Sequence, residues 1–119
     1  LPILGGVRAK SFINIVHIHG SRIMFDLIAQ NYPVEGINWS ERKGGVSLKE
    51  ALDRFQGVLV GGIDEETLIE GSQEEVEEGL HRSIEATGGR RLILAPGCAV
   101  PLNVPMEILE SLVKAARKI

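Results

Sequence analysis

Short apolar runs alternate with amphipathic stretches along the whole chain, and each run predicts a strand while each stretch predicts a helix. Phe12 to His19, rich in Ile and Val, reads as a buried strand ending at Gly20. Ser21 to Asn31 then sets Met24, Leu27 and Ile28 at helical spacing, and Tyr32-Pro33 stops that helix because a proline restricts the residue before it. Val34 to Trp39 predicts a second strand, followed by a polar loop with Gly44-Gly45 and a helix from the capping box Ser47/Glu50 to about Phe55. Gly57 to Ile63 predicts a third strand. A second capping box, Ser72/Glu75, opens a helix carrying Val76, Leu80 and Ile84 that stops at Gly88-Gly89. Arg91 to Ala95 predicts a fourth strand, and Pro105 suits the first turn of a last helix with Ile108, Leu109, Leu112, Val113 and Ala116 on one side.

Strands and helices that alternate at roughly thirty-residue spacing call for parallel pairing through right-handed crossovers, so the fold class is α/β. An eight-unit (β/α)8 barrel takes about 250 residues. The 119 residues here supply about half of that with the same periodicity, so residues 1–119 are expected to be one partial domain of four consecutive β-α units, half a barrel. A compact flavodoxin-like sheet is the competing architecture at this point. An isolated half barrel leaves two open edges and one uncovered sheet face, so self-association is expected if such a piece is stable alone. The chain starts without a Met and on what reads as the end of a helix, which favours a fragment of a longer enzyme.

Composition narrows the function classes. Thirteen Lys and Arg against 16 Asp and Glu give a net charge of −3, so there is no basic field to attract nucleic acid or anionic lipid. Only 4% of residues are aromatic, which leaves few platforms for stacking bases. No apolar run approaches the ~20 residues that span a bilayer, and no secretory signal opens the chain. A lone cysteine, Cys98, has no internal partner, and a reducing cytoplasm is its simplest home.

The chemistry concentrates in His17-Ile18-His19-Gly20. Residues two apart on a strand share a face, so Ile13, Ile15, His17 and His19 point one way while Phe12, Val16 and Ile18 point the other. Both imidazoles sit at the carboxyl end of their strand, where parallel α/β proteins gather functional groups. The fourth strand runs into Pro96-Gly97-Cys98 and delivers the thiol to the same rim. Neutral imidazole and thiolate are zinc donors, and three protein ligands with a vacant fourth position describe a catalytic zinc. The alternative is one histidine on a backbone carbonyl, the other in solvent, and an ordinary buried thiol. Asn38 and Trp39 occupy the second strand's rim as substrate-pocket candidates, and Asp64 follows the third strand either as a substrate or ligand-His partner or as a turn cap. The acidic stretch from Asp64 to Glu85, with His81 facing water, reads as a solvated outer helix, and the glycine pairs lack nucleotide-binding patterns.

The order His17-x-His19-Gly20, Ile37-Asn38-Trp39, Gly61-Gly62-Ile63-Asp64 and Gly88-Gly89-Arg90-Arg91-Leu92-Ile93-Leu94-Ala95-Pro96-Gly97-Cys98, followed by Pro101 and Pro105, resembles the carboxyl-terminal half of the uroporphyrinogen decarboxylase superfamily. That superfamily includes the zinc-dependent methylcobamide:coenzyme M methyltransferases. The resemblance covers nearly the whole chain from Phe12 onward and implies the second half of a TIM barrel. In the methyltransferase branch a His-x-Cys pair on one strand and a distant Cys after a later one ligate zinc. Carried over, His17 matches the first ligand, His19 stands where the branch has its first Cys, and Cys98 matches the second. Histidine for cysteine keeps a zinc donor but removes a negative charge, which strengthens acidification of a bound thiol and blunts its nucleophilicity.

The resemblance implies a zinc-dependent enzyme that activates a thiol for methyl transfer from a corrinoid carried by a partner protein, with His17, His19 and Cys98 as catalytic metal ligands. Metal-free uroporphyrinogen decarboxylases of tetrapyrrole biosynthesis are similar over the same region but carry a His where Cys98 stands, and their key Arg and Asp lie in the amino-terminal half. Decarboxylation of a tetrapyrrole substrate is therefore the alternative activity, and a non-catalytic half barrel that oligomerises is the alternative outside enzymes.

Overall fold

A computed structural model describes residues 2–119. Helix α1 (Pro2–Arg8) precedes strand β1 (Ile15–Ile18), α2 (Phe25–Asn31), β2 (Gly36–Trp39), α3 (Glu41–Gly44), α4 (Leu48–Arg54), β3 (Val58–Ile63), α5 (Glu65–Glu70), α6 (Gln73–Thr87), β4 (Leu92–Pro96) and α7 (Met106–Ala116). The four strands form one sheet in the order β1-β2-β3-β4, every neighbouring pair parallel. Strict sequential order has no point at which the strand order reverses, which is the mark of the doubly wound, flavodoxin-like alternative. Each crossover instead advances by one strand, as in half of a (β/α)8 barrel.

The main core lies on the helix-covered face of the sheet. Ile37 and Trp39 of β2 and Leu59 of β3 join Ile23, Phe25, Leu48, Ala51 and Phe55 in the main core, with Val16, Ile18 and Leu92 packed against it. A smaller cluster of Leu68, Val76 and Ile108 seats α7 against α5 and α6. The opposite, concave face carries Ile13, Ile15 and Ile93 in the open, 41 to 46% exposed. In a complete barrel that face is filled by layers of side chains from alternate strands.

Both capping boxes form: the Ser47 and Ser72 side chains accept from the N–H of Glu50 and Glu75, whose carboxylates return to the serine backbone. Gly88 ends α6 in the left-handed conformation, φ 61°, where glycine carries no Cβ penalty.

Several expectations are corrected. The first strand is shorter than Phe12–His19, and Phe12 is fully exposed rather than packed beside Val16 and Ile18. Helix α2 begins at Phe25, not Ser21. Met24 takes a left-handed backbone at φ 49° and points outward, and Phe25 is the residue that enters the core. Arg91, expected to open the last strand, also has a positive φ of 52°. Its guanidinium donates to the Phe55 and Leu52 carbonyls at 2.6 and 2.8 Å, which satisfies the end of α4. On α7 the buried stripe is Ile108, Ser111 and Ala115, while Val113 and Ala116 face out. The acidic stretch is broken into α5 and α6, and Glu65 within it is buried, accepting from the Ser40 hydroxyl at 3.3 Å.

A three-donor cluster at the strand ends

Strand alternation and register build this site. In parallel pairing His17 lies level with Asn38, Asn38 with Val60, and Val60 with Ile93, so one row of the sheet crosses all four strands. His17 is in that row and His19 is two residues further, both on the concave face and both exposed. Cys98 comes from the far edge of the sheet, just past β4. Its turn is held close to the middle strands: the Gly97 N–H donates to the Ile63 carbonyl at 3.2 Å, and the Pro96 carbonyl accepts from Asn38 Nδ2 at 3.1 Å. A Cβ on Gly97 would lie 2.6 Å from the Trp39 carbonyl and the Ser40 Cα, so this approach admits glycine alone. Only the fold shows what Gly97 approaches so closely.

The structure brings His17, His19 and Cys98 together. Cys98 Sγ lies 3.7 Å from His17 Nε2 and 3.6 Å from His19 Nδ1, and all three donor atoms fall within 4.8 Å of one another. A tetrahedral zinc with Zn–S of about 2.3 Å and Zn–N of about 2.0–2.1 Å sets sulfur and nitrogen about 3.6 Å apart. The donor set fits zinc in its chemistry and in both sulfur–nitrogen separations, while the two nitrogens, within 4.8 Å of each other, would draw closer, to about 3.4 Å, around an ion. Among the described residues no other group of three His, Cys, Asp or Glu side chains has such spacing.

The pocket candidates separate. Asn38 turns to the concave face, its Oδ1 2.6 Å from His17 Nδ1, so it meets a donor side chain directly. Trp39 points the other way, 1% exposed, with its indole N–H donating to the Val46 carbonyl at 2.8 Å and its ring edge-on to Phe25 at 5.0 Å. Asp64 is likewise outside the cluster. It accepts from Arg42 and from the Thr67 hydroxyl, each at 3.0 Å, which makes it a fastener at the start of α5. Trp39 and Asp64 instead share the wall of a separate cleft of about 440 Å³ on the helix side of the sheet. There Glu41 is also found, its carboxyl held above the usual range by burial, partly offset by the Leu48 N–H and reinforced by nearby Asp64. His81 is exposed on α6 and is not part of the donor cluster.

Comparison with known proteins follows the same lines. The family model for uroporphyrinogen decarboxylase matches residues 3–119. Among solved structures, a methyltransferase from Methanosarcina mazei superposes with a TM-score of 0.75 at 24% sequence identity, over 89% of this chain and 31% of that one. At that identity the likeness establishes the fold, and the chain spans about a third of that protein's length. No curated protein matches.

Proposed function

The chain belongs to the uroporphyrinogen decarboxylase family, and on that premise we propose that it forms the thiol-activating part of a zinc-dependent methyltransferase. The single observation that carries this reading is the convergence of His17, His19 and Cys98, their donor atoms within 4.8 Å of one another, at the carboxyl ends of β1 and β4. These three side chains would hold the metal. Bound there, zinc would stabilise a substrate thiol as the thiolate, because a coordinating thiol loses its proton to the cation's field.

The chain's own residues supply the rest. His17 and His19 project from one strand edge and Cys98 from the opposite one, so the donors grip from two sides and leave the exposed concave side for a small thiol. That opening also admits the methyl group carried by a corrinoid partner protein. A substrate thiolate held there would take the methyl group on its sulfur, and the partner's corrinoid would supply that methyl and keep the pair of electrons from the bond to it. Ile13, Ile15 and Ile93 lie exposed on the concave face, and the other half of a complete barrel would cover them and close the substrate pocket. A reducing cytoplasm keeps Cys98 a free thiol.

The competing activity, metal-free decarboxylation of a tetrapyrrole acid, gives Cys98 no role. Metal analysis of the full-length protein purified without chelator separates the two: about one zinc per chain is expected. A metal-free protein that decarboxylates a porphyrinogen overturns the proposal.

A further inference from the structure

We propose that Asn38 is a positioning residue that sets which nitrogen of His17 is free to bind and at the same time fixes the turn that presents Cys98. The proposal rests on the metal-binding reading given above. Asn38 uses its whole side chain. Its Nδ2 donates to two carbonyls, Val60 at 2.8 Å on the neighbouring strand and Pro96 at 3.1 Å at the end of β4. Turning the amide over would press its oxygen against both carbonyl oxygens, so Oδ1 is fixed as an acceptor. That oxygen lies 2.6 Å from His17 Nδ1, which must therefore carry the proton and donate it.

A neutral imidazole has one ring proton. With it on Nδ1, the lone pair is on Nε2, the atom 3.7 Å from Cys98 Sγ and one of the three converging donors. Free histidine in water favours the opposite tautomer, with the proton on Nε2, so the fold imposes the form a ligand needs. His19 differs: its Nδ1 faces the sulfur, and its Nε2 has no hydrogen-bond partner among the described residues. The second action of Asn38 follows from Pro96, two residues before Cys98. One amide thus spans the sheet between the strand that brings an imidazole and the strand that brings the thiol. Only a short side chain with two donors and one acceptor serves both ends: aspartate lacks the donors and leucine lacks everything but the shape.

Full-length protein with ring-15N histidine, stripped of metal and held in mildly alkaline buffer, tests this by long-range 1H–15N correlation. His17 is expected to be protonated on Nδ1. In Asn38→Leu the proton is expected to shift toward Nε2, and zinc affinity to fall about ten- to a hundredfold. Asn38→Asp keeps an acceptor and is expected to keep the native tautomer. A role limited to holding the sheet together would weaken zinc binding without moving the proton. Finding His17 protonated on Nε2 in the unaltered protein, or unchanged in Asn38→Leu, overturns the proposal. The measurement on the unaltered protein decides even where a variant fails to fold. If that protein has the Nδ1–H form but takes up no zinc, the orienting role of Asn38 stands and the metal reading fails.

Discussion

Replacing Cys98 with alanine is expected to lower the zinc affinity of the full-length protein by about two to three orders of magnitude and to abolish thiol methylation. Structural zinc sites bind with roughly 10–16 kcal/mol distributed over their four ligands, so one lost donor amounts to a few kcal/mol. The fall is larger than for loss of one imidazole, since Cys98 supplies the only anionic donor of the cluster and the sulfur to which both histidines converge. Its side chain is only half-buried, so the protein is expected to stay folded. Competition with a chromophoric chelator reads the affinity. Unchanged zinc binding in this variant would remove Cys98 from the site.

Trp39→Ala is expected to act on the opposite side of the ledger, costing about 3–5 kcal/mol of stability. The ring is the largest of the fully buried side chains and touches Phe25 edge-on, and its indole N–H is paired with the Val46 carbonyl. Truncation empties the centre of the core and leaves that carbonyl without its partner. Because the ring lies under the helices and the donors lie over the concave face, the fraction that remains folded is expected to bind zinc at the native ratio. Denaturant unfolding with metal analysis of the native fraction checks both halves. Loss of zinc from stably folded Trp39→Ala would instead make Trp39 part of the site.

Much of this was legible in the residue pattern. The spacing of the strands and the two serine–glutamate boxes located the four units, since capping chemistry is local and independent of what packs around it. The period of two along Ile15–His19 put both imidazoles on one face. What stayed hidden depends on contacts between distant residues. Alternation gives Trp39 and Asn38 opposite faces but does not say which face the helices cover, and burial of Ile37 and Trp39 settles it. The partnership of Asn38 with His17 requires the register of β1 against β2. Helix α2 begins late because Met24 sits in a left-handed conformation that periodicity does not foresee. The apolar side of α7 was drawn too wide, as α7 buries Ile108, Ser111 and Ala115 against only part of the surface a hydrophobic stripe could cover.

The central claim is that two imidazoles and one thiolate hold a zinc ion with one position open. Zinc K-edge X-ray absorption on the full-length protein, purified without chelator, tests it most directly. The account predicts one sulfur at about 2.3 Å, two imidazole nitrogens at about 2.0–2.1 Å and one further light atom that a substrate thiol replaces with a second sulfur. A shell without sulfur, or one with a second sulfur before any thiol is added, would contradict it.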